Sequence, residues 1–559
     1  MNTLPKTVSA RDNDVEQLPP LDWRSWLTLA LFLVVTVFVV HPIHIPVPVP
    51  SALRPLKWRK GRISMDLKLA PWAAICLLLA TTAIRIKSEV YHGFIGSDGI
   101  EPYGIVILIM SLAYICISLD QSGVLSYIAM YVTKKWGRNG RLLLLCFYAL
   151  SAVMAVLTSN DVVVLCLTPI ICIFSDITGV DAEPFLISMF VSANTASMAL
   201  YIGNPTNIVA AQANKISFLV YSAWMVLPFL GAAVTGCIVL YLTSLRKVPR
   251  TITVTIDIYP RSMLVRPKQA IFGSVLLVLC LVALSVSSFF GVAVWMVTLP
   301  FGGFMLIVDT VVDLYSTSRM PASKSASDLD AARKTLSGSD NIEIKNILEP
   351  SNPEPVLSSV GISTVSSETA DQEECKPDRH ISKSIDKLQL IMEQRLPTVT
   401  AVLYRLPYGI VPFSLGMFII VESLSELGWT PRLAWLLKKV CPSVVPAVFI
   451  VGLMTTLACN VLNNLPMTIL FTRALKHSIF MQIDQQTRKG ALFALIVGSN
   501  LGANLTLVGS LAGLMFQGIA AQKNRNIGYF KFMRWCLPVL PVQLAACCAI
   551  LAAEMVIIK

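Results

Sequence analysis

Four stretches of the sequence place amide side chains inside long apolar runs, where neither lipid nor a regular helix favours them. They read TSND at 158–161, VSANTASMALYIGNPTNIV at 191–209, CNVLNN at 459–464 and VGSNLGANLTLVGS at 497–510. Broken helices there leave backbone groups to be satisfied by protein, water or cargo. An amide supplies both a donor and an acceptor, which suits a neutral or singly charged hydroxylated solute. The candidate amides are Asn160, Asn194, Asn204, Asn463 and Asn500.

A purely structural interpretation of these amides stays open, because Asn and Ser also hydrogen-bond between spans without touching cargo. The polar residues recur as a symmetric set in two parts of the chain, which favours a binding site. No Lys or Arg lies within the four stretches. This argues mildly against a multivalent carboxylate as the cargo, since such groups are usually held by Arg.

Asp161 is the ionisable residue of the first polar stretch, and its counterpart in the second part of the chain is the neutral Asn464 or Leu465. A carboxylate at bilayer depth is costly and by default marks an ion pathway or a proton relay. Burial favours the protonated form of a carboxylate, so Asp161 is the predicted coupling residue. The alternative is an Asp that stays charged and caps the broken helix.

The composition is that of a multi-spanning membrane protein. The chain has 559 residues, of which 55% are hydrophobic and 14% charged, whereas soluble domains average about 25% charged residues. Apolar runs of membrane-crossing length recur along it. The predicted spans lie near 27–44, 69–84, 103–119, 183–211, 216–243, 270–288, 291–311, 398–421, 487–518 and 535–557, with polar-interrupted stretches at 142–178 and 443–480.

Charge and cysteine usage exclude several other classes. The net charge of +12 comes largely from basic clusters in short loops, which the positive-inside rule explains without nucleic acid. Most of the 13 cysteines lie singly in apolar runs, and the histidines lack metal-ligand spacing. There is no Walker motif, no nucleophile with a base and no redox pair. We therefore expect no enzyme, no catalytic residue, no metal and no cofactor.

The sequence contains an internal duplication. PYGIV occurs at 102–106 and again at 407–411, and Asn194 and Gly203 fall on Asn500 and Gly509 at an almost constant offset. The polar, Ser-rich segment between the copies cannot bury enough apolar area to fold. The predicted organisation is an N-terminal tail at 1–26, a first membrane half at 27–313, a disordered hydrophilic linker at 314–395 and a second membrane half at 396–559.

The basic loops predict that the two halves are inverted. With the clusters at 52–62, 134–141 and 246–268 on the inside, the stretch 142–178 dips into the membrane from one side and 443–480 from the other. Inverted repeats with broken segments at matching positions indicate a secondary transporter with its site near the bilayer midplane. The predicted fold is all-α and multi-spanning, with two re-entrant hairpins and two broken transmembrane helices.

The motifs TSNDVVVLCLTPI, SANTASMALYIGNPTNIV, LNNLP and GSNLGANLTLVGS resemble the arsenite-efflux permease branch (arsenical pump membrane protein) of the ion transporter superfamily, which also contains citrate carriers. The resemblance implies a hairpin-bearing transport unit that moves against a scaffold, commonly in a homodimer. It places site residues at Asn160, Asp161, Asn194, Gly203, Asn204, Asn207, Asn463, Asn464, Asn500 and Gly509. The hydroxyls of Ser197, Thr506 and Ser510 complete the candidate substrate- or ion-binding set.

The leading hypothesis is a secondary carrier that exports a small oxyanion or neutral hydroxide, such as arsenite or silicic acid, with protons as the coupling ion. Two other carriers stay open: a sodium- or proton-coupled organic-anion (citrate or dicarboxylate) carrier, and a sodium/proton antiporter. A channel or membrane receptor is the alternative outside the carriers, although paired breaks are not needed for signalling. The plasma membrane and a vacuolar or other internal membrane are both compatible with the sequence.

We predict that residues 314–395 are dispensable for transport and lie on the same side as the basic loop 134–141. The physical reason is their composition, which cannot form a packed core. The measurement is transport by a deletion variant at matched membrane levels, with protease added from either side. Complete loss of transport, or cleavage from the opposite side, contradicts the prediction.

Overall fold

The computed structural model describes residues 18–558 except 41–42, 47–61, 97–100, 253–259, 288–289, 291 and 319–391. Within this part of the chain, nine helices are long and apolar enough to cross a membrane. Helices satisfy all their backbone groups internally, which is why apolar spans adopt them. The predicted class, an all-α multi-spanning membrane protein, is confirmed.

The described residues of the first half form twelve α-helices. A short π-helix, Ile86–Val90, runs directly into the third of them. The helices are α1 Trp23–Val40, α2 Ala70–Ala80, α3 Tyr91–Ile95, α4 Pro102–Gln121, α5 Val124–Trp136, α6 Gly140–Leu157, α7 Asn160–Thr178, α8 Glu183–Ala196, α9 Pro205–Ala213, α10 Phe218–Ser244, α11 Pro267–Ser287 and α12 Val294–Ser318.

In the second half, residues 392–395 at the end of the predicted linker are also helical, and nine more helices with described bounds follow. They are α13 Pro397–Arg405, α14 Ile410–Glu426, α15 Trp429–Val440, α16 Val444–Leu462, α17 Asn464–Lys476, α18 Gln485–Leu501, α19 Leu511–Gln522, α20 Tyr529–Cys536 and α21 Val539–Ile557. The sequence did not predict one further feature, an antiparallel pair of strands after α1. Strand β1, Ile43–Pro46, pairs with β2, Arg62–Met65, so that Ile43 lies opposite Met65.

The order of elements repeats between the halves, as the duplicated motifs predict. In each half an apolar helix (α4, α14) is followed by an amphipathic helix (α5, α15), a helical hairpin (α6–α7, α16–α17) and a broken helix (α8–α9, α18–α19). Gly123 and Gly428 adopt left-handed φ angles of 85° and 88° at matching places, directly before the amphipathic helices. The opposite orientation of the halves in a bilayer stays a prediction.

Three boundaries differ from the predicted ones. The stretch 398–421 lies within one of the nine candidate spans, Pro397–Glu426, but it is not one continuous helix: α13 ends at Arg405 and α14 begins at Ile410, since Pro407 between them has no N–H to continue a helix. Residues 314–318 continue α12 into the predicted linker, whose residues 319–391 lie outside the described part of the chain. Helix α1 begins at Trp23, four residues before the predicted first span at 27 (27 − 23).

The helices pack into two bodies. One, which we call the hairpin body, consists of both hairpins, both broken helices and α10, α20 and α21. The other, which we call the brace, consists of α1–α4 and α11–α14. The amphipathic helices α5 and α15 lie between them, since each packs on a brace helix and on a hairpin. This division separates the elements that carry the polar stretches from those that do not.

Close helix contacts inside the hairpin body depend on small residues. A Cβ added at Gly498 of α18 would lie 1.9 Å from Thr455 Oγ1 of α16, and one added at Gly502 would lie 2.8 Å from Cys459 Cβ. In membranes, small residues let helix backbones approach closely, which increases van der Waals contact. The second hairpin is therefore held tightly against the second broken helix.

We predict that Gly498→Ala destabilises the protein by about 1–3 kcal/mol, because the methyl group overpacks this contact. Gly518→Ala is the matched control: it lies in α19, and a Cβ there meets nothing within 4 Å. Alanine replaces glycine favourably in an open helix position, so the control should be neutral or slightly stabilising. Thermal unfolding of the purified proteins measures both effects, and equal melting temperatures for the two variants would contradict the prediction.

Candidate functional site

The two broken helices are the frame of the candidate site. Helix α8 ends at Ala196, a 3₁₀ turn follows at Tyr201–Gly203, and α9 begins at Pro205. In the second half, α18 ends at Leu501 and is followed by two 3₁₀ turns, Gly502–Asn504 and Leu507–Gly509, before α19 begins. The second break forms although it contains no proline.

Polar residues restart the helix after each break. The Asn204 side chain accepts a hydrogen bond from the Thr206 N–H at 3.2 Å, and the Ser510 hydroxyl accepts one from the Gly513 N–H at 3.2 Å. These side chains satisfy backbone donors at the N-termini of α9 and α19. The two N-termini add positive partial charge inside the hairpin body.

Asn500 joins the two breaks. Its Oδ1 accepts from Ser197 Oγ at 2.9 Å and from Asn204 Nδ2 at 3.0 Å. Its Nδ2 donates to Asn207 Oδ1 at 2.7 Å and to the Ile496 carbonyl at 2.8 Å. Its Nδ2 also lies 3.4 Å from Ser499 Oγ, so protein supplies partners to both polar atoms of this fully buried amide. Asn500, Asn204 and Asn207 therefore connect the two halves directly. In this part of the network the amides hydrogen-bond between helices, as the structural interpretation of the amides expects.

The tip of the first hairpin reaches the same network. Asn160 Nδ2 donates to Asn194 Oδ1 at 2.8 Å, and the Ser197 hydroxyl lies 2.8 Å from the Asn194 carbonyl. Asn194 Nδ2 is buried and has no hydrogen-bond partner among the described residues. A donor without a partner at this depth is where a ligand oxygen would be stabilised.

Asp161 lies next to this tip with a partly exposed side chain. The side chain that caps α7 is Ser159, whose Oγ accepts from the Val162 N–H at 3.4 Å. Within the described part of the chain, the Asp161 carboxylate has no hydrogen-bond or ion-pair partner. Ser159, and not Asp161, therefore provides the side-chain cap of α7, while Asp161 lies in the first turn of that helix.

The tip of the second hairpin contacts its own half. Asn463 Nδ2 donates to the Val508 carbonyl at 3.0 Å, while Asn463 Oδ1 is buried without a partner among the described residues. The Asn463 backbone has φ 67° and ψ 153°, a region that is essentially reserved for glycine. Asn464, also buried, begins α17 directly after it. The strained residue thus aims an amide at the second break.

The network includes residues that the sequence did not single out. Asn460 Oδ1 accepts from Thr506 Oγ1 at 2.6 Å, and Asn460 Nδ2 donates to the Gly502 carbonyl at 3.0 Å. Gln543, a lone amide in the apolar helix α21, donates to Thr195 Oγ1 at 3.0 Å. Asn460 lies inside one of the polar stretches, and the isolation of Gln543 in an apolar span was the signal available for it.

The two predicted glycines serve close approach. A Cβ at Gly203 would lie 2.3 Å from the Ser197 carbonyl oxygen, and one at Gly509 would lie 3.0 Å from Asn460 Oδ1. Neither glycine has a positive φ angle. Both therefore let the backbone of the break fold against its own polar residues, which is a more local role than contact with cargo.

The halves exchange contacts at the site. Hairpin arm α7 packs on α19 of the other half, and hairpin arm α17 packs on α9. The first tip is joined to the second break through Asn194, Ser197 and Asn500, whereas the second tip bonds the break of its own half. The predicted residues thus meet in one region around two unwound backbones, and their side chains are uncharged except for Asp161.

Comparison with known proteins gives a family match over most of the chain. The family described as citrate transporter, CitMHS, matches residues 62–486. The arsenical pump membrane protein of Yersinia enterocolitica is 26% identical over 457 residues, covering 79% of this chain and 84% of that protein. The uncharacterized transporter slr0753 of Synechocystis is 22% identical over 503 residues, covering 86% and 91%.

Among solved structures, the YdaH transporter of Alcanivorax borkumensis is similar at 12% identity. The alignment covers 95% of this chain and 97% of that chain, with a TM-score of 0.45.

We predict that Asn463→Gly is more stable than Asn463→Ala by about 1–3 kcal/mol, the usual strain of such a backbone. Both variants lose the hydrogen bond to the Val508 carbonyl, so the difference between them isolates the strain. Thermal unfolding of the two purified proteins checks it. Equal stability would mean that the tip does not hold this backbone conformation.

Proposed function

We propose that this chain, which belongs to the citrate transporter family CitMHS, is a secondary carrier that exports a small neutral hydroxide or oxyanion of the arsenite or silicic acid type. Protons are the proposed coupling ion. The cargo would bind at the hairpin tips beside the two breaks, with Asn160, Asp161, Asn194, Asn463 and Asn464 nearest to it.

One observation carries the proposed cargo: around the two breaks, the buried amide atoms without described partners include both a donor and acceptors. Asn194 Nδ2 is the donor, and Asn463 Oδ1, Asn504 Oδ1 and Gln543 Oε1 are acceptors. A hydroxylated neutral solute can satisfy both, because each hydroxyl both donates and accepts. A carboxylate could satisfy the donor alone and would leave the acceptors facing negative charge.

The charge of the site supports the same choice. The charged side chain beside the first tip is the Asp161 carboxylate, which repels anions. Recognition of a citrate-like anion normally uses Arg in a bidentate contact, and the network described above contains none. The names of the similar arsenical pump membrane proteins agree with an arsenite-type cargo. The family description favours citrate instead, so an organic anion is the second candidate.

Proton coupling is assigned to Asp161 because its carboxylate has no partner in the described chain while the adjacent backbone is capped by Ser159. A carboxylate of this kind can change protonation without breaking the hairpin. It would be loaded on one side of the membrane and unloaded on the other. We also propose that the protein works as a homodimer in the plasma membrane or a vacuolar-type membrane, without nucleic acid as a partner.

We predict that Asp161→Asn abolishes uphill transport but retains cargo binding, because the amide keeps the shape and loses the titration. The measurement is flux into proteoliposomes of arsenite, silicate, citrate and sodium, with and without a pH gradient, beside binding to purified protein. Exchange without a gradient should persist in the variant.

The matched control is Asp181→Asn, whose exposed side chain accepts the Glu183 N–H at 3.0 Å and can do so as an amide. This variant should transport like the wild type. If Asp161→Asn still concentrates cargo in response to pH, coupling lies elsewhere. If citrate alone is moved, the cargo assignment is wrong and the organic-anion alternative replaces it.

A further inference from the structure

Polar contact between the hairpin body and the brace centres on a buried ion pair. Arg473 lies on the hairpin arm α17, and Glu422 lies on the brace helix α14. Their side chains are in direct contact, and each is 3% exposed. The pair therefore joins the two bodies at a face where α17 packs on α14.

The corresponding place in the first half differs. There Arg405 pairs with Asp120 at 2.6 Å, but both residues belong to the brace, on α13 and α4. Across the boundary their neighbour is the uncharged thiol of Cys166 on α7. The two halves thus place an ion pair at equivalent boundaries, and in the second half the pair crosses it.

Other ionisable side chains and a cavity lie close to Glu422. His92 of α3 and Glu426 of α14 offer ligand atoms that lie within 4.8 Å of one another and of Glu422. The guanidinium of Arg473 supplies the positive charge facing this group of side chains. A cavity of about 340 Å³ lies beside it between α14, α15 and the end of α17, and Glu426 and His477 line it. Water is therefore available within one helical turn of the buried pair.

We propose that the Arg473–Glu422 pair is a latch that holds the hairpin body against the brace in the observed arrangement. If the bodies move relative to each other, α17 slides along α14 and the pair must separate. Separating a buried pair leaves each charge uncompensated, which is strongly unfavourable. The latch thus favours the observed arrangement over one in which the pair is separated. This inference rests on carrier function, but on neither the cargo nor the coupling ion.

The test is the distance between spin labels on the two bodies, measured in lipid nanodiscs without cargo. The labels replace Phe94 on α3 of the brace and Met481, next to α17 in the hairpin body; both are exposed. Cys76 and Cys375 are changed to serine. The latch variant is Glu422→Leu with Arg473→Met, since well-packed apolar residues tolerate the loss of a buried pair. Because no charges then have to be separated, its second distance population should rise on the order of tenfold over the wild type, which corresponds to about 1.4 kcal/mol.

Two further variants separate charge from packing. Asp120→Leu with Arg405→Met removes the ion pair that stays within the brace, and its distances should match those of the wild type. Glu422→Arg with Arg473→Glu restores a pair across the boundary and should restore the wild-type distance distribution. If the apolar variant does not fold, Glu422→Gln with Arg473→Gln replaces it, since this pair keeps a hydrogen bond without charge.

An unchanged distance distribution in the variant without charge overturns the latch. So does an equal shift in the Asp120 and Arg405 control, because the effect would then be general loosening. The measurement uses no cargo, so failure of the arsenite-type assignment leaves this result unaffected.

Discussion

Broken helices in an apolar interior create backbone and amide groups that water cannot satisfy, and the rest of the structure depends on how the protein satisfies them. Asn500 contributes most to this, because its amide bonds protein partners from both halves. A polar group that is buried in an apolar interior without a hydrogen-bond partner costs several kcal/mol. The helix breaks are therefore tolerated because polar groups of one half hydrogen-bond those of the other.

Some of the buried polar groups at the breaks and hairpin tips have hydrogen-bond partners in the protein, and others do not. The Asn500 amide is satisfied by protein, whereas Asn463 at the second hairpin tip, Asn194 beside the first tip, and Asn504 and Gln543 at the breaks each leave one buried amide atom without a partner among the described residues. Strain at Asn463 and the unpaired carboxylate of Asp161 lie at the same tips. Amides such as that of Asn500 thus stabilise the two broken helices, and the neighbouring groups without partners are the candidates for binding a ligand.

The packing of the helices adds a second level. The polar network lies within the hairpin body, so the body can move as a unit without breaking its own hydrogen bonds. At its boundary with the brace lie the amphipathic helices α5 and α15 and the buried Arg473–Glu422 pair.

The sequence alone determined the class, the duplication and most of the polar residues of the site, because apolar length, basic loops and repeated motifs are local properties. It predicted the second break without a proline, and the Asn194 and Asn500 positions through the offset between halves. It could not decide which amides face each other: Asn500 bonds Ser197 and Asn204 from about 300 residues away, and Gln543 enters from a span with no motif. It also placed one span where Pro407 separates two helices. Hydrogen bonds between residues far apart in the sequence decide whether a given amide is satisfied by protein or is left without a partner. These bonds depend on distances between atoms in the folded protein, and the order of residues does not contain those distances.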